Sequence, residues 1–254
     1  MRRVSGCAAF SQSNLKSIEL PEVSMFTGFT EETIQFFLDL KFHNNTTYFH
    51  DQHDRYVEDV QHVFYDMIDD LAPDMLKIDP QMEVRPHKCL SRIHRDTRFS
   101  RDKSPYRDHL WFLFRRAGEP REKSLFYYFE LGPDRLSWGM GFWDENREAL
   151  DLFRKRMRAN PDGTLALIDD LGLDRRKLML DGTIHKKMPV PPEIPDRLKR
   201  WYLAKDMYIG KIMPDYRMIY SEKIAKEVRR DFIALAPLYR LLRGYADEVF
   251  ASAE

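Results

Sequence analysis

Basic side chains are concentrated between Arg85 and Arg116, in a protein whose formal net charge is +0. The ten lysines and arginines of this segment are Arg85, Lys88, Arg92, Arg95, Arg98, Arg101, Lys103, Arg107, Arg115 and Arg116. Its acids are only Asp96, Asp102 and Asp108. A guanidinium is a planar fork of donors that fits phosphate or carboxylate two bonds at a time. The excess of positive charge must therefore be matched by acids elsewhere in the fold, or by an anion from outside.

The centre of this segment, from Arg92 to Tyr106, reads as a loop, because Phe99 and the Ser104–Pro105–Tyr106 run interrupt any regular pattern. Loops on a rigid sheet often carry ligand sites. One interpretation is an anion-binding pocket in a small-molecule binder or an enzyme. Its donors would be Arg92, Arg95, Arg98, Lys103 and Tyr106. The candidates for proton transfer would be His94, Asp96, Asp102 and Tyr106. No reaction follows from this pattern, so the catalytic residues stay unassigned.

Two other interpretations of the same segment stay open. In the first, Asp96 and Asp102 pair with neighbouring arginines and the segment is an internal salt network that orders a loop. In the second, the chain is a non-catalytic interaction domain that binds single-stranded nucleic acid. Its stacking residues would be Phe99, Tyr106, Trp111 and Phe112. The neutral overall charge counts against nucleic acid as a partner.

A second polar stretch precedes the arginine segment. Asn44 and Asn45 would end the first helix, because asparagine tolerates the left-handed conformation, and we expect them to support the anion site. His43, His50 and His53 lack the spacing of a metal motif, so neither a metal nor another cofactor is predicted. Cys89 lies near basic residues that could lower its pKa, but a lone cysteine is more often inert.

The composition restricts the class of protein. With 254 residues, 43% of them apolar and 13% aromatic, the chain can bury a sizeable core. No run approaches 18 apolar residues, so no transmembrane helix and no membrane partner is predicted, although a local basic patch could still bind an anionic surface. The two cysteines, Cys7 and Cys89, fit a reducing compartment, and we expect a cytoplasmic protein.

Helical periodicity is clearest towards the two ends of the chain. Thr30 is a candidate N-cap followed by two acids, which predicts a helix that begins at Glu31. A second helix is predicted from Gln52 to Leu71, ended by Ala72–Pro73–Asp74. Later helices are predicted at Glu145–Ala159, Leu165–Leu171, Asp196–Ala204 and Glu222–Val249. Pro237 is expected to kink or divide the last of them.

Alternating apolar residues predict strands in the middle of the chain. The main candidates are Leu110–Phe114, Ser124–Leu131 and Leu136–Trp143, joined by short connections. Met82–His87 is a weaker candidate, and Met207–Met213 is expected to be an edge strand. The fold class predicted is α+β, an antiparallel β-meander sheet packed by N-terminal and C-terminal helices. We expect a disordered N-terminal extension at residues 1–24 and a single α+β domain at residues 25–254.

Several of these stretches together resemble one known family. They are Met25–Phe29, Asn44–Asn45 with Tyr48–Phe49, Asp54–Tyr56, the long run Arg92–Tyr106, and Leu235–Leu238. They are similar to the signatures of the family catalogued as domain of unknown function 2461. The resemblance covers roughly Met25 to Tyr245; it implies an intact single domain and no particular reaction. The chain departs from the family pattern at Thr46, Thr47, Tyr48 and His94. An acid is usual in place of Thr47, so a role that needs that acid is not implied here.

Overall fold

A computed structural model describes residues 26–119, 124–142, 146–212 and 214–251 of the chain. The predicted disordered extension, residues 1–24, lies outside these ranges. So do Trp143 and Glu145, at which one predicted strand ends and one predicted helix begins. Within the described ranges, helices precede and follow the three strands of the meander along the chain, and the sheet is antiparallel. This arrangement confirms the α+β class.

The N-terminal helices follow the capping residues of the sequence. Thr30 caps α1, and its side chain and that of Thr33 form a capping box. Asn45 caps α2 through a hydrogen bond from the Tyr48 amide. The segments are α1 (Glu31–Phe42), α2 (Thr46–Asp51), α3 (His53–Tyr56), a π-helical turn (Val57–His62) and α4 (Val63–Ile78). A short helix, α5 (Pro86–Cys89), follows before the sheet.

Helix α4 continues through Pro73, so the predicted helix end at Ala72–Pro73–Asp74 is wrong. A proline inside a helix removes one backbone hydrogen bond. Tertiary contacts offset this loss. Arg229 donates to the Asp70 carbonyl (2.7 Å) and to the Asp74 carboxylate (2.8 Å), on either side of the proline. Met75, on the far side of the proline, is buried in the core, so the last turn of the helix is held from outside.

In the described part of the chain, five antiparallel strands form the sheet in the order β1-β2-β3-β5-β4. The strands are β1 (Leu110–Arg115), β2 (Leu125–Gly132), β3 (Arg135–Phe142), β4 (Leu178–Asp181) and β5 (Tyr208–Lys211). The meander β1-β2-β3 is confirmed. The expectation of an edge strand at Met207–Met213 is wrong, because β5 lies between β3 and β4. Met82–His87 forms one isolated bridge, and Pro86 begins α5 there because proline suits a first helical position.

The C-terminal half adds helices around one face of the sheet. They are α6 (Arg147–Ala159), α7 (Pro161–Leu171), α8 (Leu173–Arg176), α9 (Lys199–Leu203) and α10 (Lys223–Ala251), with 3₁₀ turns at Asp196–Leu198 and Tyr216–Tyr220. Helix α10 runs through Pro237 without being divided. Its Phe232 and Tyr239 rings pack on Tyr127 of β2, with centroids 4.9 and 5.2 Å away. The core therefore lies between α10 and the inner face of the sheet.

Two buried carboxylates join the helices to the sheet. Asp231 of α10 accepts hydrogen bonds from the Trp138 indole (3.0 Å) and from Lys211 Nζ (2.9 Å). Asp79 accepts from Arg116 Nε (2.7 Å) and from the Tyr239 hydroxyl (2.9 Å). Buried carboxylates need such partners, because an unpaired charge in the interior is costly.

Glycines bring β5 unusually close to the outer face of β3, the face that points away from α10. A Cβ added to Gly139 would lie 1.9 Å from the Ile209 carbonyl oxygen, and one added to Gly141 would lie 2.4 Å from that of Met207. Since Trp138 and Met140 point inward, these clashes are on the outer side. The sheet consequently curls outward at β3 and β5.

The arginine-rich loop before β1 is an irregular ribbon held at its root by Asn44. Its two arms are joined by hydrogen bonds from the Arg95 amide to Pro105 (2.8 Å) and from the Arg107 amide to Ile93 (2.9 Å). The Asn44 side chain donates to the Tyr106 carbonyl and accepts from the Tyr106 amide, each at 2.9 Å. Tyr106 forms an antiparallel bridge with His94, and Asn44, 62 residues away in sequence, satisfies the backbone amide and carbonyl of Tyr106 that this bridge leaves unpaired.

We predict that Gly139→Ala lowers the free energy of unfolding by more than about 3 kcal/mol, because the new methyl group meets strand backbone that has no room to move. Gly244→Ala is the matched control. Gly244 lies inside α10 with nothing within 4 Å of an added Cβ, so this change should stabilise by about 0.5–1 kcal/mol. Urea denaturation measures both values, and equal effects of the two substitutions would contradict the close approach of β5.

We also predict that Asn44→Ala costs about 2 kcal/mol, since two hydrogen bonds of the loop root are lost together. Amide exchange of Arg95 and Arg107 should become faster in this variant. Asn45→Ala serves as control: it removes only the cap of α2, costs about 1 kcal/mol, and should leave those two amides protected. Unchanged exchange in Asn44→Ala would show that the ribbon does not depend on this side chain.

Candidate functional site

The structure pairs two of the predicted anion-binding arginines with acids of their own loop. Arg95 forms a salt bridge with Asp102, and Arg98 forms one with Asp96 at 2.6 Å. Lys103 Nζ donates to the Thr97 carbonyl at 2.8 Å. These contacts are those of an internal salt network and occupy donors that an anion would otherwise use.

The two loop carboxylates are strongly held in their charged form. The Arg98 side chain lowers the pKa of Asp96 to about 2, helped by the hydrogen bond from the Arg98 amide. Hydrogen bonds from Ser104, followed by the one from Arg95, hold the pKa of Asp102 well below its usual range. A carboxylate of such low pKa is a poor base at neutral pH. The geometry therefore favours a structural role over proton transfer for Asp96 and Asp102.

Tyr106 belongs to the core. Its ring is 5% exposed and stacks on Phe49, with centroids 4.1 Å apart. The exposed His94 lies beside it, with a centroid separation of 5.0 Å. Tyr106 therefore anchors the loop to α2, and Asn44 and Asn45 help to position this junction through their hydrogen bonds.

Arg107 is a further basic side chain at the root of this loop, and the sequence interpretation did not single it out as an anion-binding residue. Its Nε donates to the Arg92 carbonyl at 3.3 Å, and its guanidinium lies over the Trp111 ring, 4.8 Å from the centroid. Within the described ranges, neither Arg107 nor the exposed Arg92 forms a salt bridge with a carboxylate. Burial lowers the pKa of Arg107, and the positive charge of Arg95 adds to this effect, while the charge of Asp96 acts against it.

Next to Arg107, the outer face of the sheet forms an aromatic groove of about 420 Å³. The groove is lined by Trp111, Leu113, Phe126, Tyr128, Glu130 and Tyr208. Trp111 and Leu113 come from β1, and Phe126 and Tyr128 come from β2. Opposite Phe126 and Tyr128, β3 carries Gly141 and Gly139, which add no side chain above the sheet. Tyr208 then projects from β5, where the sheet curls outward, and this curl makes the outer face concave.

A polar cluster lies beside the groove around Glu130. The Nδ1 atom of His109 is 2.8 Å from an oxygen of Asp108, and its Nε2 atom is 3.6 Å from an oxygen of Glu130. Ser137 donates a hydrogen bond to Glu130 at 3.2 Å, and Arg135 is 3.6 Å from it. His109 is therefore held between two carboxylates, with its ring 5.7 Å from that of Trp111.

The environment of this cluster shifts the pKa of two groups. Burial raises the pKa of Tyr128 to about 12, and the Glu130 charge acts in the same direction, so the phenol stays neutral at ordinary pH. Burial also acts to raise the pKa of Asp108. The hydrogen bond and charge of His109 outweigh it, and the pKa of Asp108 is lowered. Asp108 is thus an anion that can orient the imidazole.

The structure does not support metal binding by the three N-terminal histidines or nucleophilic chemistry at Cys89. His43, His50 and His53 are exposed, and within the described ranges no group of three or more histidine, cysteine or acidic side chains could hold a metal ion. Burial raises the pKa of Cys89 to about 12, and its Sγ donates to the Glu83 carbonyl. A thiol of that pKa is not a nucleophile at neutral pH. None of the helices in the described ranges has the length and apolar composition needed to cross a membrane.

One wall of the groove could have been found from the sequence. Arg107, His109, Trp111, Leu113 and Arg115 alternate at the period of a strand and therefore share one face. The other walls depend on the pairing of β2, β3 and β5. This pairing brings Tyr208 into the same groove as Trp111, although the two residues are 97 positions apart in the sequence. No local pattern in the sequence predicts this long-range strand pairing.

A comparison with protein-family models identifies the family of this chain. Residues 32–241 match the family described as "Conserved hypothetical protein (DUF2461)". A search of curated proteins finds no match. Because the family model covers most of the sequence, including the arginine-rich loop and all five strands, the chain belongs to this family.

Proposed function

We propose that this member of the DUF2461 family binds a small anionic molecule with a flat apolar body in the groove on the outer face of its sheet. One observation carries the proposal. The guanidinium of Arg107 is half-buried beside the aromatic groove, and no carboxylate in the described part of the chain pairs with it. Arg95 and Arg98, by contrast, already face Asp102 and Asp96.

The electrostatics at Arg107 favour an anion. Burial and the nearby charge of Arg95 both work against its positive form, and the charge of Asp96 offsets them only in part, so the pKa of Arg107 is lowered. A carboxylate or phosphate would offset that cost and accept two parallel hydrogen bonds from the guanidinium. The backbone carbonyl of Arg92 accepts from Arg107 Nε, and we propose that the exposed side chain of Arg92 adds a second positive charge. The anion site predicted at Arg92, Arg95 and Arg98 is thus proposed to centre on Arg107 and Arg92.

The shape and lining of the groove favour a flat apolar body. Its volume of about 420 Å³ falls in the range of small-molecule sites, about 300–1,000 Å³. Trp111, Tyr128 and Tyr208 offer ring faces or edges beside the buried Phe126, and aromatic contacts of this kind are worth about 0.5–1.5 kcal/mol each beyond burial. Tyr128 and Ser137 supply neutral hydroxyl groups that can orient the ligand.

For a ligand that reacts in the groove, His109 is the group whose geometry suits proton transfer. Asp108 fixes the Nδ1 side of the ring, and Nε2 is on the side of Glu130, a lining residue of the groove. A histidine oriented by a carboxylate is a common general base. Proton transfer by His109 therefore depends on binding of such a ligand in the groove.

Binding of single-stranded nucleic acid is less well supported. Of the four aromatic residues that were expected to stack on bases, Tyr106 is 5% exposed and Phe112 is fully buried. Trp111 is half-buried under Arg107, and Phe99 lies alone at the loop tip. These four residues therefore do not form the row of free ring faces that single strands use.

Paired ligands test the proposal by calorimetric titration. Naphthalene sulfonate and naphthalene methanol share the flat body and differ in the anion. We predict that Arg107→Gln weakens the sulfonate about tenfold and leaves the neutral compound unchanged, because only the charge-assisted hydrogen bonds are lost. Tyr208→Ala should weaken both compounds, since it removes one wall of the groove.

Arg101→Gln provides the control for this titration. Arg101 is an exposed arginine of the same loop, and in the described part of the chain it has no carboxylate partner either. It should leave the affinity for both compounds unchanged. Equal loss in Arg101→Gln and Arg107→Gln would mean that the loop attracts anions only diffusely. Absence of binding by any anionic aromatic compound would overturn the proposal.

A further inference from the structure

The two most exposed large apolar side chains of the described residues are Phe99, with 95% of its surface exposed, and Phe42, with 79%. Phe99 lies at the tip of the arginine-rich loop. Phe42 ends α1, two residues before Asn44, which is bonded to Tyr106 at the root of the same loop. The two exposed rings therefore lie on segments that are joined to each other. An exposed phenylalanine costs free energy in water, so a ring presented in this way indicates a contact surface.

The loop tip is ordered by its own contacts and not by contacts of Phe99 with the core. The salt bridges Arg95–Asp102 and Arg98–Asp96 cross or brace the tip, and Lys103 Nζ is bonded to the Thr97 carbonyl. Among the described residues, the one ring or cation contact of Phe99 is with Arg98, whose guanidinium lies 5.8 Å from the centroid of the ring. A braced loop that holds a bare ring away from the protein is preorganised for docking, because little entropy is lost on binding.

The charge around the ring is positive. From Arg92 to Lys103 the loop carries five basic and two acidic side chains. Both acids are used inside the loop, whereas Arg92 and Arg101 are exposed without a salt bridge to any described residue. A complementary surface must therefore be anionic and must also accept an apolar ring.

We propose that this loop tip docks on an anionic lipid bilayer, with Phe99 in the interfacial region and the exposed Arg101 beside lipid phosphates. Such a contact is peripheral and needs no spanning helix, and it departs from the expectation of no membrane partner. It is also independent of the aromatic groove. A bilayer suits this tip better than a nucleic acid does, because Arg98 lies over the ring face that a base would use, while an acyl interface accepts the ring edge.

Vesicle co-sedimentation with the full chain tests this proposal. The probes are vesicles of phosphatidylcholine alone and of equal parts phosphatidylcholine and phosphatidylserine. We expect binding to the anionic vesicles only. Phe99→Ala should reduce it about tenfold, because the buried apolar area of the ring is lost. Arg101→Gln should reduce it about fivefold, which is the contribution of one basic side chain near an anionic surface. Phe42→Ala should give a smaller loss than Phe99→Ala. Added salt should weaken binding.

Two exposed residues elsewhere provide controls. Ile233→Ala removes a half-exposed apolar side chain of α10, and Lys186→Gln removes an exposed charge far along the chain; both should bind vesicles like the parent. The naphthalene titration is repeated on Phe99→Ala, where unchanged affinity shows that the groove is intact. Three outcomes would overturn the proposal: no binding to anionic vesicles, equal losses in the control variants, or tighter binding to a single-stranded oligonucleotide through Phe99.

Discussion

The close approach of β5 to the outer face of β3 is the constraint on which the rest of this structure depends. It is possible only because Gly139 and Gly141 carry no side chain. The approach curls the sheet outward, so that Tyr208 of β5 faces the rings of β1 and β2 across a concave surface. It also brings Lys211, at the end of β5, to the buried carboxylate of Asp231 on α10. One packing contact thereby shapes the outer groove and joins the sheet to its longest helix.

Charge is distributed so that most of the arginine-rich loop stabilises itself. Its aspartates lie two and seven residues from the arginines that they pair with, and local pairs of this kind order a loop without help from a ligand. Exposed pairs contribute little to global stability, so their main effect is on loop conformation. What remains is a small positive surplus at the root, around Arg107, and another at the tip, around Phe99. These two places are the ones at which the proposed contacts lie.

Local patterns predicted the elements and missed the relations between them. Thr30 and the alternation in β2 are local signals, and both α1 and β2 follow them closely. Pro73 misled the same reasoning, because the contacts of Arg229 that hold α4 together there come from about 155 residues away. The candidate site divides in the same way. The positive loop is visible in the sequence, but the salt bridges within it and the aromatic groove beside Arg107 depend on long-range pairing.

We propose the outer face of the sheet as a ligand site with Arg107 beside the anionic group of the ligand. A crystal structure of the protein with a bound aromatic anion would show where the ligand lies. We expect the flat body to lie in the groove among Trp111, Tyr128 and Tyr208, with the anionic group within hydrogen-bonding distance of the Arg107 guanidinium. A ligand bound on the helical side, or one in the groove whose anion points away from Arg107, would contradict it.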